Sequence, residues 1–293
     1  MRAEHLPGTV SVIVPTHDRA ALLGRALDSV RAQTRPADEI LVVDDGSTDG
    51  TRELLARYPE VRVLSQQQRG VSAARNVGLR AARGEWLALL DSDDEWRPTK
   101  LARQLDALAR APEQRLCHTD EVWIRRGRRV NPMRKHQKRG GFIYRHCLPL
   151  CCISPSSVVL HREVLCQVGL FDESLPACED YDLWLRICLR HPVLFLDEPL
   201  LVKYGGHADQ LSARYPGMDR FRIQALEGML ERPELVGEER EATRATLLEK
   251  LEIYLAGARK RGRHDEVASY EARRARWADS QARPPEEGEA CSA

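Results

Sequence analysis

The chain of 293 residues carries 45 Lys plus Arg against 44 Asp plus Glu, a formal net charge of +1. Hydrophobic residues make up 42% and charged residues 30%, ordinary globular usage that excludes disorder or low complexity as the general character and leaves room for one large domain or two small ones. No apolar run approaches the roughly 20 residues that span a bilayer. Glu4 and Pro7 stand where a secretory apolar region would lie, so a soluble, cytoplasmic protein is expected, and near-neutral charge argues against coating nucleic acid.

The N-terminal third alternates short apolar runs with amphipathic segments: Val10 to Val14, Ala20 to Gln33, Ile40 to Val43, Thr51 to Tyr58, Val61 to Leu64, Val71 to Ala82, then the run WLALL from Trp86. The strand candidates are almost continuously apolar, as in a parallel sheet covered by helices on both faces. Leu22, Leu23, Ala26, Leu27 and Val30 recur at helical spacing after Asp18, read as the N-cap. The pattern predicts an α/β fold with an open, mostly parallel, doubly wound sheet.

Further along, Thr99 to Leu108 reads as a helix and Leu116 to Ile124 as a strand turning at Gly127, after which the pattern is irregular to Pro155. Glu179 to Arg190 is helical by spacing, and Val193 to Leu196 and Leu200 to Tyr204 read as edge strands. From Met218 onward the chain reads as helix; the stretches Leu235 to Gly262 and His264 to Ser280 carry heavy charge pairing and a thin apolar stripe, which suits helices lying against the main domain. The domain division expected is residues 1–215, a helical extension over 216–280, and a disordered tail over 281–293, where Pro284, Pro285 and a Glu-rich run occur.

Eight cysteines include no C-x-x-C pair. Cys147, Cys151 and Cys152 beside His146 suggest zinc at first sight, but adjacent cysteines are poorly spaced for a tetrahedral site, so reduced thiols are expected.

Ligands of open α/β sheets bind outside the carboxyl ends of the strands. There the sequence is polar: Pro15, Thr16, His17, Asp18 and Arg19 follow the first run, Asp44 to Ser47 the second, and Asp91, Ser92, Asp93 and Asp94 the fourth. Several carboxylates at one sheet edge repel one another unless a cation or a hydrogen-bonding ligand joins them. Alternate residues leaving a strand project to one side, so Asp91 and Asp93 can share a hard cation such as Mg²⁺ or Mn²⁺ on a diphosphate; the plain alternative is that Asp93 and Asp94 cap the following helix. The run from Asp45 to Gly50 fails as a calcium loop, because its twelfth position is Ala56 where a bidentate Glu is required. Neither a P-loop nor a dinucleotide fingerprint occurs.

The segments VSVIVPTHDR, VVDDGSTDGT, RGVSAARNVGL, LLDSDDEWRP and CEDYDLWLRI, in this order and spacing, resemble family 2 glycosyltransferases over roughly the first 200 residues. The resemblance implies a GT-A (Rossmann-like) fold and an inverting transferase that moves a sugar from a nucleotide diphosphate, commonly a UDP-sugar, to a hydroxyl of a glycan or lipid-linked acceptor, with Mn²⁺ or Mg²⁺ as cofactor. Its residue roles carry over to Pro15 and Thr16 along the nucleoside, Asp45 at the base or ribose, Arg75 near base and diphosphate, Asp91 and Ser92 at ribose or sugar, and Asp93 on the metal. Asp180 is the implied catalytic base, with Glu179 as second choice; read without the resemblance, both are first-turn acids that complement a helix dipole. His207 is the implied late histidine returning to diphosphate or metal, or else a surface residue. Trp96 and Trp184 either stack on sugar faces or pack in the core. A role in cell-envelope polysaccharide biosynthesis is expected.

Between Glu121 and Glu163 no acidic side chain occurs, while nine Arg or Lys residues lie between 125 and 145. This segment is either a solvated loop or a contact to lipid-linked phosphates or to an anionic membrane at its inner face. The C-terminal stripes allow an oligomer. Two rivals are a sugar-nucleotide pyrophosphorylase, disfavoured because PTHDRA has no glycine after the first strand, and an inactive nucleotide-sugar-binding module, disfavoured by the intact Asp91, Asp93 and Asp180.

Overall fold

The computed structural model of the protein describes residues 6–131, 136–206, 215 and 217–278. The chain divides after Pro216 into two compact units. In the first, the elements are β1 (Leu6–Thr16), α1 (Ala20–Arg31), β2 (Glu39–Asp44), α2 (Thr51–Leu55), β3 (Arg62–Ser65), α3 (Val71–Ala81), β4 (Gly84–Leu89), β5 (Glu95–Trp96), α4 (Lys100–Arg110), β6 (Leu116–Arg125), β7 (Arg128–Val130), α5 (Tyr144–Cys147), β8 (Val159–His161), α6 (Arg162–Val168), α7 (Glu179–Arg190) and β9 (Leu194–Gly205).

One sheet runs in the order β3-β2-β1-β4-β8-β6-β9-β5, with β7 paired to β6. Strands β1 to β4 are mutually parallel. The short β8 is antiparallel to both β4 and β6, and β9 is parallel to β6, so β6 and β9 run in the direction of β1 and β4. The carboxyl ends of β1, β2, β4, β6 and β9 therefore face one edge, where an open sheet of this kind binds its ligand.

The apolar runs explain the layering. Val10, Val12, Ile13 and Val14 of β1 and Leu41, Val42 and Val43 of β2 are fully enclosed, because helices cover both faces. Helix α1 buries Leu23, Ala26, Leu27 and Val30 on one side, with the leucines and the valine each worth about 1.5–3 kcal/mol relative to exposure. Helix α3 lies so close to the sheet that a Cβ on Gly78 would stand 2.5 Å from Ile13 Cγ2 and 3.1 Å from Val43 Cγ2. Glycine is the residue that permits this approach.

Two expectations are corrected. Asp18 is not the N-cap of α1, which begins after Arg19 with no side-chain cap. The Asp18 backbone sits in the left-handed region (φ 48°), and its carboxylate accepts from the Thr48 amide at 2.7 Å, while Asp49 receives the Ala20 amide at 2.9 Å. The two edge strands expected after Val193 form the single strand β9, which lies inside the sheet between β6 and β5. Pro199 pairs with Asp120 at a register shift, where a missing amide donor is tolerated. The irregular region contains α5, and α6 follows it.

The second unit comprises α8 (Asp219–Leu230), α9 (Gly237–Lys260) and α10 (His264–Ala278), with α9 packed on both others. Leu247, Leu251 and Leu255 of α9 are fully buried. Tyr254 and Tyr270 stack at 4.1 Å between centroids, and Arg273 Nε donates to Glu227 at 2.9 Å. No helix among the described residues is long and apolar enough to cross a membrane. The expected tail over 281–293 lies outside the described residues.

Candidate active site

At the end of β2, Asp45 is buried and holds the loop that leads into α3. Its Oδ1 accepts from Gln66 Nε2 at 2.6 Å and from the Arg69 amide at 2.9 Å, and its Oδ2 accepts from the Gly70 amide at 2.8 Å. The carboxylate read from sequence as free for a base or ribose thus also organises the entry to α3. Its own amide donates to the Thr16 carbonyl at 2.8 Å, which ties the ends of β1 and β2 together. Pro15 and Thr16 are buried beside it, and Thr16 Oγ1 has no hydrogen-bond partner among the described residues. A buried hydroxyl in that condition suits a ligand that supplies the missing bond. His17 Nε2 meets Gln68 Nε2 at 2.8 Å across the same opening.

Helix α3 then presents Arg75. This residue is 3% exposed and its side chain makes two charge-assisted hydrogen bonds of 2.6 Å, one from Nη2 to Asp91 Oδ1 at the end of β4 and one from Nη1 to Glu179 Oε1 at the start of α7. Burial opposes its charge, but Asp91 and Glu179 outweigh burial and raise its pKa. Arg75 therefore joins three elements that the sequence separates widely, and its terminal nitrogens are committed to protein carboxylates. The neighbouring Asn76 clamps the next loop, with its side-chain amide donating to the Phe171 carbonyl and to Glu173 Oε1, both at 2.9 Å.

Glu179 and Asp180 differ in setting. Glu179 is buried, and burial raises its pKa against the pull of Arg75. Asp180 is half-buried, and its Oδ2 accepts from the Cys151 thiol at 3.4 Å. Asp182, the third acid of that turn, is bound to Arg186 by bonds of 3.0 and 2.7 Å and belongs to the packing of α7.

Beyond β4, Asp91 and Asp93 are partly exposed, with side chains 26% and 21% accessible, while Ser92 between them is buried. The Asp93 carbonyl accepts from Arg25 Nη2 at 2.7 Å, and its carboxylate lies 3.8 Å from Arg19 Nη1. Asp94 turns inward. It accepts from Ser156 Oγ at 2.6 Å and from the Tyr204 amide at 3.1 Å, so neither it nor Asp93 caps α4, whose N-cap is Thr99. Burial raises the Asp94 pKa strongly, with Lys203 opposing.

Sequence reasoning missed Lys203. On β9, its ammonium donates to Ser154 Oγ at 3.2 Å, and its field acts on Glu121, Asp94, Asp91 and Asp180; burial works against the charge, but these carboxylates raise its pKa. Glu121 of β6 is paired with Lys138 at 3.0 Å. Although burial opposes its ionisation, Lys138 and Lys203 pull it down to about 2. The signal was available: a lysine inside the apolar run LLVKYG is costly unless acids surround it.

Trp96 and Trp184 are both buried, and Trp96 Nε1 donates to the Ser156 carbonyl at 2.7 Å, so both tryptophans belong to the core. The Cys152 thiol donates to backbone carbonyls, Cys147 is buried and unbridged, and no cluster of three or more His, Cys, Asp or Glu among the described residues is placed to hold a metal. A divalent ion at Asp91 and Asp93 would then rely on one or two carboxylates and on substrate phosphates, which suits Mg²⁺ or Mn²⁺ chemistry. His207 lies outside the described residues.

Residues 11–163 match the family model described as glycosyl transferase family 2, and residues 144–229 match that of a glycosyltransferase-like family 2. An uncharacterized glycosyltransferase of Rickettsia conorii is 30% identical over 213 residues, 70% of this chain and 35% of the relative. The teichuronic acid biosynthesis glycosyltransferase TuaG of Bacillus subtilis, itself assigned by name only as putative, is 39% identical over 102 residues, 33% of this chain and 40% of the relative. The chain thus spans little more than a third of the length of these two relatives. Among solved structures, S. aureus TarS residues 1–349 with UDP-GlcNAc superposes with a TM-score of 0.66 at 22% identity, covering 83% of this chain and 71% of that one. A mannosyltransferase from Pyrobaculum calidifontis with GDP-Man and Mn²⁺ gives 0.59 at 20% identity, covering 92% and 84%. These likenesses concern the fold, a mostly parallel sheet with helices as in GT-A enzymes.

Proposed function

The chain belongs to glycosyltransferase family 2, and from that premise we propose that it moves a sugar, with inversion, from a nucleoside-diphosphate donor to a hydroxyl of a glycan or lipid-linked acceptor. The observation that carries the reading is the Arg75 bridge, which sets Asp91 at the end of β4 against the N-terminus of α7, where Asp180 stands. A donor on one side and an acceptor base on the other then share one sheet edge.

In this reading, Pro15, the unpartnered Thr16 hydroxyl and Asp45 hold the nucleoside, and Asp91 with Ser92 receives ribose or sugar. Asp93 with Asp91 would hold Mg²⁺ or Mn²⁺, which supplies charge neutralisation of the departing diphosphate. Asp180 removes the proton of the attacking hydroxyl. Glu179 is poorly suited to that task, since its carboxylate is enclosed and committed to Arg75. Lys203 helps hold Glu121 ionised and offsets part of the burial of Asp94. UDP-sugars are the first donors to test and GDP-sugars the second, because the two structural neighbours hold UDP-GlcNAc and GDP-Man. The names of TuaG and of the succinoglycan biosynthesis protein ExoO support a role in surface polysaccharide synthesis.

Asp180→Asn tests the assignment. Donor turnover, read as nucleoside diphosphate released, should fall by about 10²–10⁴-fold while the nucleotide-induced rise in melting midpoint persists. An unchanged turnover rate would reject Asp180 as base.

A further inference from the structure

Strands β6 and β9 continue past the site as a ribbon. Glu121 pairs with Leu201, Trp123 with Lys203 and Arg125 with Gly205, so the tip of the β6–β7 hairpin stands about four residues, roughly 13 Å, beyond Glu121 on the ligand edge of the sheet. That tip reads Arg125, Arg126, Gly127, Arg128, Arg129. All four guanidinium side chains are exposed, and none forms an ion pair among the described residues.

Two features of the tip cost stability. Arg126 and Gly127 both have positive φ, 49° and 73°, in a two-residue turn where Asn-Gly or Gly-Gly is the favoured choice. Arg125 pairs directly with Arg128 across the strands, and like charges so placed repel. A hairpin that keeps four cations against both preferences, beside an edge that must admit an acceptor, is shaped for something other than its own folding.

We propose that Arg125, Arg126, Arg128 and Arg129 dock an acceptor bearing repeated oxyanion groups and lead it to Asp180. Guanidinium groups pair with phosphate and carboxylate in a two-bond geometry, and the stretch from 122 to 162 contains no acid to compete for them. A membrane fits less well. The most exposed large apolar side chain among the described residues, Phe142, adjoins Gly141, which bridges to Val193 at the opposite end of β9 from Gly205. Among the described residues, no large exposed apolar side chain therefore accompanies the arginines. This inference rests on the glycosyltransferase reading for what is docked.

The test uses the full chain and two labelled probes, inorganic polyphosphate and polygalacturonate, followed by fluorescence anisotropy at 50 and 200 mM NaCl, with co-sedimentation on phosphatidylserine vesicles as a third arm. The variant Arg126→Gln/Arg128→Gln/Arg129→Gln should bind at least one probe about tenfold or more weakly, with the log–log salt slope reduced by roughly two. Its melting midpoint should equal or exceed wild type, since repulsion is removed. The probe that responds distinguishes phosphate from carboxylate acceptors. A control, Arg52→Gln/Arg57→Gln/Arg83→Gln, should bind as wild type does. The proposal is overturned if wild type binds neither probe, if hairpin and control variants lose affinity equally, or if only binding to phosphatidylserine vesicles responds to the hairpin. Nucleotide thermal shifts on the same samples judge the glycosyltransferase reading separately. Their absence in wild type would count against that reading without altering the anion result.

Discussion

Replacing Arg75 by methionine removes the cation on which the site is built and fills much of its volume. Two charge-assisted hydrogen bonds of 2.6 Å are lost. Asp91 retains access to solvent, but Glu179 is 4% exposed and becomes an uncompensated buried charge. Breaking a buried pair in this way costs about 3–5 kcal/mol. The pH dependence follows from the sign of the shift. Glu179 already titrates above its ordinary value because of burial, and without Arg75 it rises further. Between the ordinary and the raised value the folded state holds a proton that the unfolded state has released, so stability falls as pH rises through that window. Urea denaturation followed by tryptophan fluorescence should show the full loss at pH 7.5 and a smaller one at pH 5.5. The double variant Arg75→Met/Glu179→Gln should recover at least half of the loss at pH 7.5. A single-variant loss under about 1 kcal/mol, or a double variant no more stable than the single, would refute the reasoning.

Lys100 is enclosed at the start of α4, its ammonium 4.1 Å from the centre of the Trp96 ring and without a hydrogen bond among the described residues. Burial pulls it down to about 7. The unfolded chain binds more protons between about pH 7 and 10.5, so stability rises with pH across that range; Lys100→Met should abolish the rise and add up to about 4 kcal/mol at pH 7, and a destabilised variant would contradict this. Lys203→Met removes the cation opposing Asp94, Asp91, Asp180 and Glu121. The folded pKa values of Asp94 and Glu121, which Lys203 lowers, then rise, so the variant's deficit should be larger at pH 8 than at pH 5; equal deficits in denaturant titrations would exclude the electrostatic role.

The sheet was legible because strands buried on both faces are continuously apolar and because their polar ends cluster. The helix period of α1 was legible because one face of it is enclosed, whereas α3 and α7 are buried on most sides. What sequence could not supply were the joins made by folding. Arg75 and Glu179 are 104 positions apart, and only the packing of α3 and α7 shows that Arg75 binds protein carboxylates and that Glu179, rather than Asp180, is consumed. Asp18 was misread because adjacency suggested a cap, whereas its left-handed backbone turns it toward Thr48. The two strands expected over Val193 to Leu196 and Leu200 to Tyr204 are one, because a register shift accommodates Pro199 within the ladder. Lys203 was overlooked because its neighbours are apolar, although that was itself the clue.

The central claim is that this sheet edge binds a nucleoside diphosphate through Thr16, Asp45 and a divalent ion at Asp91 and Asp93. The most direct measurement is the melting midpoint with UDP or GDP at about 100 times Kd and Mn²⁺, where binding adds about 2.7 kcal/mol. One nucleotide should raise the midpoint by about 5–10 °C, with the Mn²⁺-dependent part lost in Asp93→Asn. No rise with any nucleoside diphosphate, or an identical rise in Asp93→Asn, would contradict the account.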